Sequence, residues 1–240
     1  MPRVIDLETR LKWEVLVNSS DAIGYAYKRL TETLKEVSFL SDFRDAEPFR
    51  PIVAVYCWII IDQSHAFFQI LRKIQKKPDG VLDTLLKDFG ESVTLMRNGM
   101  DHISQQIQNL SQRKNPTYGV YGSLAFSTPL RSDSTFSLIN FSLGGNQFNK
   151  QEYCTIDMQA TPEESGIGNV SFAAFDQNLK ISKLVKELEL SLVKMDIDAQ
   201  TTILPIVKEH ADKHALDYNQ LFSESVRGTV YVRFELTTEK

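Results

Sequence analysis

The chain has 240 residues, 42% of them hydrophobic and 24% charged, with a formal net charge of −4. That balance belongs to an ordinary soluble globular protein, long enough for one large domain or two small ones around a real core. The mild negative charge excludes a protein drawn to nucleic acid by its overall field, so a nucleic-acid substrate would need a local patch.

From about Asp6 to Leu40 apolar residues recur at helical spacing: Leu7, Leu11, Val15, Ile23, Tyr27, Leu30 and Leu34. Ser19-Ser20-Asp21 could mark a break or a fresh cap within that stretch. FRDAEPFRP reads as a loop, and a second helix follows from Ile52 to about Ile74, apolar all round in its first half and so expected to be buried there. After the PDG turn signal at residues 78–80, Val81, Leu85, Phe89, Val93, Met96, Met100, Ile103, Ile107 and Leu110 form a single apolar stripe, which predicts one long third helix.

From Pro116 the texture changes to strand-sized runs rich in aromatic and β-branched residues: YGVYGSLAFS, STFSLINFSLGG, QEYCTIDMQA and GNVSFAAFD. An antiparallel meander of three or four strands fits them. Helical periodicity returns with Ile181, Leu184, Leu188 and Met195. A further stretch runs from about Asp198 to Ala215, which Pro205 either starts or kinks. The closing GTVYVRFELT alternates as a half-buried strand, at about residues 228–238. No internal repeat or low-complexity linker separates these parts. The expectation is a single α+β domain over 1–240, with a helical bundle (1–115 and 178–218) and a β-insert (about 116–177) between the third and fourth helices.

Cys57 and Cys154 lie far apart in apolar surroundings and read as buried free thiols in a reduced compartment. MPRVIDLETRLKWEV holds no signal-peptide core, and the apolar run from Ile52 to Ile61 is too short to span a bilayer. A cytoplasmic protein with no membrane partner is expected.

The candidate chemistry lies in Arg97-Asn98-Gly99-Met100-Asp101-His102. Arginine holds phosphate by a fork of hydrogen bonds, and histidine exchanges protons near neutral pH. With Met96, Met100 and Ile103 turned inward, Arg97 and His102 stand about 140° apart around one helix. One helix therefore struggles to aim both at one phosphate, whereas two copies packed about a two-fold axis could pair the arginine of one with the histidine of the other. Gly99 would permit such close backbone approach. The competing reading makes Arg97, Asn98, Asp101 and Gln105 a solvated helix face. Asp62, in the DQSH that interrupts the second helix, could orient Arg97 or His102, or with His65 mark only where that helix emerges into solvent.

RNGMDH, in a long amphipathic helix that follows an apolar one, resembles the Arg-Asn-x-x-x-His motif of the HEPN superfamily. FDQNLKISKLVKELELSL is similar to the start of the final bundle helix in family members that carry a β-insert. The resemblance implies an antiparallel helical bundle that pairs into a homodimer and acts as a metal-independent endoribonuclease. In that site Arg97 would stabilise the scissile phosphate, His102 would act as general acid/base and Asn98 would add a polar contact, with Asp62 and Asp101 in support. It implies an RNA substrate, a regulatory protein partner, defence or toxin-type biology and no cofactor. Ser104 stands where some toxin-type members carry a tyrosine. Basic residues near the motif are sparse: Lys87, Arg113 and Lys114. Many HEPN-like proteins bind rather than cut, so the alternative is a non-catalytic dimerisation or partner-binding module.

His210 and His214 share a helix face and are weak metal candidates; they also simply extend the stripe of Ile203 and Val207, and Ala211 stands where a zincin needs glutamate. Gly166-Ile167-Gly168 lacks the setting of a nucleotide loop, and no G-x-S-x-G nucleophile motif occurs.

Overall fold

The computed structural model describes residues 5–40, 42–74, 80–111, 121–129, 136–143 and 166–217. Two compact units divide the chain, residues 1–14 with 194–240 and residues 15–193. The architecture is α+β: helices α1 (Leu7–Ser38), α2 (Arg50–Ile74), α3 (Gly80–Asp101), α4 (Ile103–Ser111) and α5 (Ile181–His214), with strands β1 (Ser123–Pro129), β2 (Phe136–Ser142), β3 (Gly168–Ala174) and β4 (Gln177–Lys180) between α4 and α5.

Asp6 begins α1 by accepting the Thr9 N–H on its side chain at 2.9 Å, a cap that also lowers its pKa. The helix then runs unbroken through Ser19-Ser20-Asp21. Ser19 is buried, and the Ser20 hydroxyl donates to the Leu16 carbonyl, so neither serine competes for a cap. Leu16, Ser19, Ile23, Ala26, Leu30, Leu34 and Val37 form the buried stripe, three or four residues apart.

The segment before α2, expected as a loop, is a short 3₁₀ helix, Phe43–Phe49. Along α2 the buried set is Val53, Ala54, Cys57, Ile60, Ile61, Ser64, Phe67, Phe68 and Leu71. The first half is nevertheless not buried all round: Ile52, Val55 and Ile59 are 44%, 55% and 36% exposed. One face of a helix packs at a time, and these three share the other face. Among the described residues Asp45–Ile74 is the one stretch long and apolar enough to cross a membrane by length and composition. Burial of its other face accounts for much of that apolarity.

The third apolar stripe is carried by two helices rather than one. Leu85, Phe89, Val93 and Met96 are buried, while Ile107 in α4 is 47% exposed. At His102 the chain makes a turn: its carbonyl accepts from both Gln105 and Gln106, and its N–H still donates to Asn98. Sharing one carbonyl between the i+3 and i+4 donors tightens the helix locally.

The sheet is fully antiparallel in the order β2-β1-β3-β4. This corrects the expected meander, in which each strand pairs with the next along the chain. The connection over residues 143–167 is long enough to return β3 to the free edge of β1 instead of turning tightly beside β2. QEYCTIDMQA and the expected strand at 228–238 lie outside the described residues. β4 escaped the sequence reading because its four residues merge into the helical pattern of α5. Within β1 and β3, side chains on both faces are buried.

The β3–β4 hairpin turns on Phe175 and Asp176, both at positive φ (49° and 63°) with Ala174 paired to Gln177. This is the type I′ geometry that normally takes Asn-Gly, and a phenylalanine adopts it only when packing compensates. At the start of α5, the Ser182 hydroxyl accepts from the Tyr27 hydroxyl and from the Val170 N–H, both at 2.9 Å, tying α1, β3 and α5 together. The helical periods expected before and after residue 198 form one helix, α5, with Pro205 inside it.

Candidate functional site

The site lies in the unit of residues 15–193, where α2 packs beside α3. Arg97 Nε lies 2.5 Å from Asp62 Oδ1 on α2, and its Nη1 donates to Asp101 Oδ1 one turn further along α3. The arginine side chain is 30% exposed and each carboxylate 51%. The hydrogen bond that Arg97 donates to Asp101, then the charges of both acids, raise the guanidinium pKa against the opposing effect of burial. One cation between two carboxylates carries a net negative charge, so an incoming phosphate would compete with them for the remaining N–H donors.

His65 follows Asp62 by three residues on the same face of α2. Its Nε2 meets Gln69 Nε2 at 3.1 Å. Burial, then the positive charges of Arg97 and Arg72, lower the His65 pKa, while Asp62 and Asp101 pull the other way. The neutral imidazole is therefore favoured. The sequence reading weighed His65 only as the end of an apolar run; the signal was the Asp-x-x-His spacing, which places acid and imidazole together on one helix.

The motif residues divide. Asp62, Arg97 and Asp101 are brought into one cluster, whereas His102 and Asn98 are exposed, and Arg97 bonds to the two acids. Gly99 does not wait for a second backbone. The Phe175 ring of the β3–β4 turn covers it so closely that a Cβ there would stand 2.4 Å from the ring. Phe175 also packs against Trp58 of α2 with centroids 5.9 Å apart, and Trp58 meets Phe172 edge-on at 5.5 Å. The hairpin tip thus fills the place where the sequence suggested a symmetry-related helix, because an aromatic side chain from the same chain is already there.

Of the basic residues near the motif, Lys87 is paired with Asp83, and Arg113 and Lys114 lie outside the described residues. In the other unit His210 and His214 stack with ring centroids 4.5 Å apart. Among the described residues no group of three or more His, Cys, Asp or Glu side chains is placed to hold a metal ion. Comparison of the chain with family models, with curated proteins and with solved structures found no match.

Proposed function

We propose that the chain is a HEPN-like, metal-independent endoribonuclease whose site is completed by a second copy. The observation that carries this reading is the Asp62–Arg97 ion pair, which fixes the motif arginine from a neighbouring helix while His102 stays exposed on the turn that follows. A guanidinium held in advance stabilises charge developing on a phosphate without reorganising during the reaction. The ribose 2′-hydroxyl attacks phosphorus and passes its proton to one imidazole. The 5′-oxygen leaves and takes a proton, yielding a 2′,3′-cyclic phosphate and a 5′-hydroxyl. His102 of one copy, beside Arg97 of the other, takes the first proton, the leaving oxygen is protonated from solvent, and Asn98 adds a polar contact. A cytoplasmic setting, a regulatory partner and defence or toxin-type biology belong to the same proposal.

Cleavage of single-stranded RNA in EDTA tests it. Wild type cuts, and His102→Ala and Arg97→Ala each lose about a hundredfold or more. Absence of cleavage by a folded wild type contradicts it. One observation favours the second reading, a non-catalytic HEPN-like module: both acids already occupy Arg97, so the cluster serves to join α2 to α3.

A further inference from the structure

A cleft opens beside the first turns of α2, and its chemistry differs from that of the ion-paired cluster. It encloses about 440 Å³, within the range of small-molecule sites. Ala54, Val55 and Trp58 of α2, Met100 of α3 and Leu143 after β2 give it an apolar lining, and Arg50 is the charged residue at its edge. Arg50 precedes Asp62 by twelve residues, about 18 Å along the helix, so its charge is separate from that of the Arg97 cluster.

The hydrogen-bond account at this cleft does not close. Arg50 Nε and Trp58 Nε1 are both buried without a partner. Glu47, itself exposed, stands 3.9 Å from Arg50 Nη1, beyond hydrogen-bond reach. These two atoms are closed to solvent, but the Arg50 side chain as a whole is 33% exposed, so a ligand in the cleft meets the outer nitrogens of a cation, which suit an acceptor, best an anion. The walls are aromatic at Trp58 and Tyr121 and aliphatic at Ala54, Val55, Met100 and Leu143, and the aliphatic stretch suits an aliphatic body. A nucleotide would set its sugar and phosphates against Val55, Met100 and Leu143, and a cavity of this volume is too small to seat a helix of another chain.

We propose that this cleft binds a small amphipathic carboxylate, with its aliphatic body against Ala54, Val55, Met100 and Leu143 and its head group on the Arg50 guanidinium. Such a head group is worth about tenfold or more in affinity when it gains charge-assisted hydrogen bonds.

Titration calorimetry on the full chain tests this, with decanoate as probe, decan-1-ol as the uncharged control and uridine 5′-monophosphate as the competing chemistry. Decanoate is expected to bind one to one and to weaken at least about tenfold in Arg50→Gln. Val55→Trp, at a half-exposed position that can accept the larger ring, is expected to remove binding by filling the space. Decan-1-ol is expected to bind wild type no better than it binds Arg50→Gln. Should Arg50→Gln fail to fold, the decanoate-to-decanol ratio on wild type still decides. The proposal is overturned if decanoate does not bind, if it binds without regard to both substitutions, or if the nucleotide binds in its place. None of these readouts depends on RNA cleavage.

Discussion

Asp62 on α2 reaches Arg97 on α3 across 2.5 Å, so the motif arginine is set by a residue thirty-five positions away as well as by Asp101 on its own helix. Both acids are half-exposed, which screens the attraction. A double-mutant cycle with Asp62→Asn, Arg97→Gln and the double variant, followed by urea denaturation, is expected to give a coupling of about 0.5–1 kcal/mol. Strictly additive single effects would deny that the pair holds the two helices together.

Gly99 and Phe175 give the sharpest test of the packing. Gly→Ala in a helix interior normally gains about 1 kcal/mol. Here the added methyl meets the Phe175 ring at 2.4 Å, so Gly99→Ala is expected to destabilise by about 1–3 kcal/mol. In a Phe175→Ala background the clash disappears, and the same change becomes neutral or stabilising. Denaturation midpoints of the four proteins decide it; equal effects in both backgrounds would rule out the contact.

His65 gives the protein a pH dependence of known sign. Its folded pKa lies below the ordinary value of about 6.5, chiefly through burial and then through Arg97 and Arg72. The unfolded chain therefore binds the proton more readily. This cost is absent above about pH 6.5, grows as pH falls towards the lowered folded pKa, and then stays constant. Stability of His65→Gln, measured against wild type over that window, is expected to fall less steeply on acidification. A parallel profile would mean that His65 titrates as it does in the unfolded chain.

Much of the fold was legible because it rests on period alone. The stripe Leu85, Phe89, Val93 and Met96 announced α3, and three of the four β-type runs overlap observed strands. What escaped depends on partners that a single sequence does not reveal. Ile52, Val55 and Ile59 look like core by composition, yet only geometry tells which side of α2 is covered. Phe175 looks like a strand residue, but its backbone turns left-handed and its ring is spent on Gly99 and Trp58. In the candidate site, Asp62 was legible as an acid that could orient Arg97. The participation of His65 was not, since its surroundings follow from how α2 lies on α3.

The central claim is that Arg97 of one copy and His102 of another complete a single RNA-cleaving site, and mixing tests it most directly. Arg97→Ala and His102→Ala proteins, each inactive alone, are unfolded and refolded together and assayed on single-stranded RNA in EDTA. Half of the pairs formed at random are mixed, and each mixed pair keeps one intact site of two, so about a quarter of wild-type activity should return. Failure of the mixture to cut, alongside a wild type that does, would contradict a site shared between copies; a wild type that leaves RNA intact would contradict the nuclease itself.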